Sequence, residues 1–233
     1  MRPSAALCGA DARAHLARAR VMLLFSPELC GARAALDVLA AVLPEVDVLQ
    51  VRAKPAGAGG AAPAEARASW EWSRRILDLA RVPRTPPFVL IVDDRADVAR
   101  ALAEEGVAGV HLGQDDMPCA AAREFLGSNA LIGLSTHDLA QVAGAIDEPV
   151  DYLGFGPVHA TRTKGYEHGL GTEAAWIASC GAHVPLFPIG GIEASNAQEL
   201  VRIGRAALSS AILGAADPAR AARELRALLE SDA

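Results

Sequence analysis

Residues 88–112 read FVLIVDDRADVARALAEEGVAGVHL. The stretch opens on an apolar, β-branched-rich run, Phe88–Val92, and turns polar at Asp93, Asp94 and Arg95. An Ala/Leu-rich, helix-like segment follows over Ala96–Glu104, and a second apolar run closes it at Gly109–Leu112. Short apolar runs separated by a helix are the signature of parallel strands, whose connection needs a crossover.

The same unit recurs along the chain. Further apolar runs lie at Val21–Phe25, Val46–Arg52, Leu131–Ser135, Tyr152–Gly156, Leu186–Ile189 and Ala206–Ala211. Further helix-like stretches lie at Ala32–Leu43, Ala64–Ala80, Pro118–Leu126, Asp138–Ala145, Glu173–Ser179, Ala194–Ile203 and Pro218–Leu229. Eight strand–helix units in 233 residues predict an α/β protein with a (β/α)8 TIM barrel, a fold that typically takes about 250 residues. A doubly wound open sheet also alternates, and periodicity alone does not separate the two. No linker divides the chain, so residues 21–233 read as one barrel domain and residues 1–20 as an N-terminal extension. Residues 56–63 (AGAGGAAP) read as a mobile loop, either a bland connection or a lid beside Lys54.

Composition narrows the function. With 22 Lys and Arg against 28 Asp and Glu, a net charge of −6 and 52% hydrophobic residues, the chain is neither disordered nor a nucleic-acid coat. No apolar stretch approaches the ~18 residues of a membrane span, and residues 1–20 carry too many charges for a secretory signal. Cys8, Cys30, Cys119 and Cys180 are scattered without a CxxC pair, which suits reduced thiols in a cytoplasmic protein. Nothing in the sequence fixes an oligomeric state. Only two of the 22 basic residues are lysine, Lys54 and Lys164. A lysine kept against such a bias marks a position where arginine does not serve.

In a barrel of this kind chemistry gathers where strands end and loops begin. Gln50, Arg52 and Lys54 alternate with Val51 and Ala53, so the three polar side chains share one face, as an anion-binding row. Arg52 alone reads equally as half of a salt bridge. Two acidic pairs, Asp93–Asp94 and Asp115–Asp116, end neighbouring strands, a pattern that suits a hard cation such as Mg2+. Individually, Asp93 or Asp116 also fits a helix cap. Ser135 can donate to a phosphate; His137 is a candidate acid–base group or simply the neighbour of a capping Asp138. Thr161, Thr163 and Lys164 after the sixth strand suit phosphate oxygens. Gly190–Gly191, Ser209 and Ser210 follow the seventh and eighth strands, the usual phosphate site of this fold. Together these make two anion sites, one large enough for a metal-bound diphosphate and one for a monophosphate.

The motifs QVRAK (50–54), DDR (93–95), HLGQDD (111–116), IGLSTH (132–137), GP (156–157) with TRTK (161–164), IGGI (189–192) and SAI (210–212) resemble, in this order, the thiamine-phosphate synthase family. The resemblance runs from about Val21 to Ile212. It implies a transferase that joins hydroxymethylpyrimidine diphosphate, through loss of diphosphate, to the nitrogen of thiazole phosphate. It implies that Gln50, Arg52, Lys54, Ser135 and Lys164 hold the pyrimidine diphosphate, with Arg52, Lys54, Lys164 and Ser135 acting in catalysis. It implies Asp94 and Asp116 as Mg2+ ligands, and Thr161, Thr163, Gly191, Ser209 and Ser210 around the thiazole phosphate. Asp93, counted with the substrate-binding set, stands where the family usually has Asn.

Three segments also depart from the family pattern. The chain between Asp94 and His111 is longer, the loop after Lys164 (GYEHGLG) is shorter, and residues 205–209 lack the usual Ala-Asp-Gly. Two rival readings fit a diverged barrel: a thiazole tautomerase with His137 as base, and a non-catalytic binder of thiamine or thiazole phosphate.

Overall fold

The structure is a computed structural model that describes residues 5–54, 62–83, 85–160 and 168–231. Thr161, Thr163 and Lys164 lie outside these residues, as does most of the Gly/Ala-rich loop reading at 56–63, namely 56–61.

Eight parallel strands alternate with helices: β2 (Val21–Phe25), β3 (Val48–Val51), β4 (Phe88–Asp93), β5 (Gly109–Leu112), β6 (Leu131–Thr136), β7 (Tyr152–Phe155), β8 (Leu186–Pro188) and β9 (Ala206–Leu208). They pair in the order β8-β7-β6-β5-β4-β3-β2-β9. A parallel bridge between Ile189 and Ala207 joins the two ends and closes the barrel. The open-sheet alternative is thereby excluded.

Each strand is buried on both faces, which is why its sequence reads as a continuous apolar run. Outward residues such as Leu23, Phe25, Leu49, Val51, Leu90, Val92, Val110 and Ile132 pack with the helices in one core. Inward residues such as Met22, Val48, Val89, Ile91, Leu131, Tyr152, Phe187 and Ala207 fill the barrel in a second.

The N-terminal segment completes that second core. Ala6 and Leu7 form β1, pairing in parallel with Phe88 and Val89 at the start of β4. Helix α1 (Gly9–Arg18) then buries Ala12 and Leu16 against the first inward residues of the strands and plugs the amino-terminal mouth. Arg13 secures it, donating to the Asp151 carboxylate at 2.8 Å, which also accepts from Arg123 and from the Ile132 amide. Entry of ligands is left to the carboxy-terminal mouth.

The outer helices are α2 (Ala35–Val42), α3 (Ala62–Ala80), α4 (Ala96–Ala101), α5 (Cys119–Leu126), α6 (Leu139–Gly144), α7 (Thr172–Gly181), a short α8 (Ser210–Leu213) and α9 (Pro218–Glu230). Asp138 and Asp217 cap α6 and α9 through the amides of Gln141 and Arg220. Two expectations need correction. The segment 194–203 holds only a 3-10 turn at Ala197–Leu200, because the Asn196 side chain bonds locally, accepting from the Glu193 amide and donating to the Gly191 carbonyl. The last strand stops at Leu208 rather than Ala211, since Ser210 already begins α8.

Candidate active site

The inner face of β3 carries Gln50 and continues into Arg52 and Lys54. Gln50 is buried, and its Nε2 donates to Asp93 Oδ1 on the neighbouring β4 at 2.5 Å. Arg52 Nε lies 3.4 Å from the other carboxylate oxygen of Asp93. Asp93 is thus enclosed between an amide and a guanidinium, which accounts for a carboxylate where an amide was expected. Its pKa is pushed up to about 6. Burial is the main cause, and the charge of Asp94 adds to it. Arg52, Lys54 and the Gln50 hydrogen bond oppose the rise.

One residue further, the chain bends sharply. Asp94 has φ 59°, in the left-handed region that few non-glycine residues adopt, and its amide donates to the His111 carbonyl at 2.8 Å. Lys54 Nζ donates to Asp94 Oδ2 at 2.8 Å. Burial depresses the Lys54 pKa, but the hydrogen bond and charge of Asp94 outweigh that and raise it.

Asp116 reaches the same place from the β5 loop. Its Oδ2 accepts from the Gly113 amide at 2.6 Å, and a Cβ on Gly113 would sit 2.9 Å from that oxygen. Burial raises the Asp116 pKa; the Gly113 amide lowers it, and both the charge of Asp94 and a carboxyl–carboxyl hydrogen bond with Asp94 raise it again. The two side chains are therefore in contact. Neither caps a helix: Arg95 precedes α4 and Pro118 precedes α5. Two adjoining acids repel each other when both are charged, an arrangement that suits a divalent cation. Among the described residues no group of three or more His, Cys, Asp or Glu is placed to hold a metal ion.

Ser135 ends the inner face of β6. Its Oγ is 2.9 Å from His111 Nε2, and its carbonyl accepts from Gln114 Nε2 at 2.6 Å. His111 and Tyr152, joined through Nδ1 and the phenol at 2.9 Å, had received no role from the sequence. The available signal was period two: His111 follows Gly109 on the inner face of β5 and pairs in register with Asp93. His137 Nδ1 donates to the Gly156 carbonyl at 2.7 Å, beside the Asp138 cap.

On the opposite side of the mouth, Gly191 has φ 63°, and a Cβ there would lie 2.5 Å from the Ala160 carbonyl oxygen. Only glycine lets this loop pass so close to the one after β7. The Ser209 hydroxyl donates to the Leu24 carbonyl at 2.8 Å, so its proton is already used. Ser210 opens α8 next to it. The structure thus brings Gln50, Arg52, Lys54, Asp93, Asp94 and Asp116 into one connected group. Ser135 and the pair Ser209–Ser210 end other strands of the same mouth.

Known proteins resemble the chain over most of its length. Residues 21–212 match the family described as thiamine monophosphate synthase. The chain is 41% identical over 217 residues to thiamine-phosphate synthase of Laribacter hongkongensis, covering 89% of this chain and 94% of that one. It is 40% identical over 171 residues to the Azorhizobium caulinodans enzyme of the same name, covering 72% and 78%. A Synechococcus relative is 43% identical over 139 residues, covering 59% of this chain but only 39% of its own length. The solved structure of thiamine phosphate pyrophosphorylase from Pyrococcus furiosus superposes with a TM-score of 0.74 at 28% identity, covering 94% and 97%. A 3-hexulose-6-phosphate synthase, at TM-score 0.61 and 17% identity, shares the barrel alone.

Proposed function

The chain belongs to the thiamine monophosphate synthase family, and from that premise we propose that it is a transferase making thiamine phosphate from hydroxymethylpyrimidine diphosphate and thiazole phosphate. The observation that carries this reading is the contact group Lys54–Asp94–Asp116 at the carboxy-terminal mouth. Two adjoining carboxylates beside a protonated lysine suit a diphosphate leaving group, the carboxylates through a divalent cation and the lysine directly.

Lys54, held charged by Asp94, and Arg52, oriented by Asp93, present positive charge to the diphosphate, joined by Lys164. Asp94 and Asp116 would hold Mg2+, which when bound neutralises charge on the departing diphosphate. Gln50 is fixed by Asp93 at the base of this row and faces the pyrimidine side. Ser135 donates its hydroxyl proton to the same substrate. Gly191 and the backbone at Ser209 and Ser210, with Thr161 and Thr163, form the cradle for the thiazole phosphate. Because the Ser209 hydroxyl is committed to Leu24, its contribution is its backbone amide. The protein then works mainly by positioning two substrates and by stabilising the charge that develops on the leaving group.

Lys54→Met tests the reading. It should keep the melting temperature and lose most thiamine phosphate formation. Unchanged turnover would sink the assignment. Activity that survives EDTA and is lost in His137→Asn would instead support a tautomerase.

A further inference from the structure

We propose that Tyr152 is a positioning residue for this reaction: its phenol fixes the tautomer of His111, and His111 turns the Ser135 hydroxyl proton toward the substrate. The proposal rests on the synthase reading of the site. Tyr152 is fully buried inside the barrel, and its ring meets Phe187 edge-on with centroids 6.0 Å apart. Burial, and after it the charges of Asp93 and Asp151, push the phenol well above its usual 10, so it keeps its proton at any working pH.

That proton has a place to go. Among the described residues the hydrogen-bond partner of the Tyr152 hydroxyl is His111 Nδ1, at 2.9 Å. A phenol that donates to Nδ1 requires Nδ1 to be bare. The proton of a neutral imidazole then resides on Nε2. From Nε2 it is donated to Ser135 Oγ, 2.9 Å away. With its oxygen accepting from below, the serine hydroxyl has its own proton left for an acceptor atom of the pyrimidine diphosphate. The Gln114 bond to the Ser135 carbonyl holds the residue in place.

The backbone is built around this row. A Cβ on Gly133 would lie 2.1 Å from Tyr152 Cζ, and a Cβ on Gly154 would lie 3.4 Å from His111 Cε1. Both glycines sit on inner faces; Gly133 is required by the tyrosine ring, whereas a Cβ at 154 would only touch the imidazole. Any side chain at 133 displaces the tyrosine ring.

The test is 15N-resolved NMR of His111 in the whole protein, with steady-state kinetics of Tyr152→Phe. The wild type should show a neutral imidazole protonated at Nε2 and bare at Nδ1. In Tyr152→Phe the bare Nδ1 loses its donor, so its 15N resonance should move downfield. The variant's kcat should fall about three- to tenfold, the weight of one neutral hydrogen bond, while the KM for thiazole phosphate stays put. A wild-type His111 protonated at Nδ1 would overturn the proposal, as would a Tyr152→Phe protein with an unchanged Nδ1 resonance and unchanged kcat. If that variant does not fold, the wild-type spectrum decides alone. Absence of thiamine phosphate from the wild-type reaction overturns the synthase reading and the catalytic half of this proposal, whereas the spectrum tests the relay separately.

Discussion

Replacing Asp93 by asparagine should make the metal-free protein more stable at neutral pH and remove one element of its pH dependence. In the folded state Asp93 titrates at about 6 rather than at the ordinary 3.8 of a carboxyl, with burial as the main cause. The gap corresponds to about 3 kcal/mol against the charged form. The sign follows from proton linkage. Below pH ~4 both states hold the proton and nothing is lost. Between ~4 and ~6 the unfolded chain ionises first, so stability falls as pH rises, and above ~6 the full cost remains.

The side-chain amide of Asp93→Asn carries no charge and escapes this cost. The Gln50 amide can turn over so that its oxygen accepts from the new Nδ2, which leaves the new Oδ1 to face Arg52. Arg52 loses its charge partner, but that pair is 3.4 Å long and the guanidinium is partly exposed, so the loss is about 0–1 kcal/mol. The net expectation is a gain of about 2 kcal/mol at pH 8 that vanishes near pH 4. Urea unfolding of both proteins in EDTA across pH 4–8 measures it. A variant less stable than wild type at pH 8, or one with the same fall between pH 4 and 6, would refute the enclosed-carboxylate account.

Leu16→Ala empties a fully buried site in the N-terminal plug and should cost about 2–5 kcal/mol in urea unfolding, with the KM values unaltered because the plug closes the far mouth. Asp116→Asn removes one of the two acids proposed to hold Mg2+. A charge-assisted contact of about 1.5–3 kcal/mol is lost, so half-maximal activity should need about tenfold more Mg2+ or beyond. Measured in a Mg2+ titration of turnover, an unshifted midpoint would remove Asp116 from the metal site.

The barrel was legible because parallel strands buried on both faces leave uninterrupted apolar runs, and β4, Phe88–Asp93, is buried at every position. The plug was not, since the sequence of α1, GADARAHLAR, buries only Ala12 and Leu16 and reads as polar. The helix expected at 194–203 failed because a side-chain amide at Asn196 competes with the helical bonds, a contest that propensity does not resolve. In the site, the row Gln50–Arg52–Lys54 followed from period two. The contact between Asp94 and Asp116 depends on one left-handed residue, Asp94, and no pattern announces it. His111 and Tyr152 stayed hidden for a different reason: inward aromatic residues on strands look like core until their polar atoms are seen to meet.

The central claim is a Mg2+-dependent synthesis, and the direct measurement is turnover. Purified protein, hydroxymethylpyrimidine diphosphate, thiazole phosphate and Mg2+ are mixed, and thiamine phosphate is followed by fluorescence after oxidation to thiochrome. The account predicts product that appears with Mg2+ and is abolished by EDTA. A folded protein that binds thiazole phosphate yet forms no thiamine phosphate under any metal condition would contradict it.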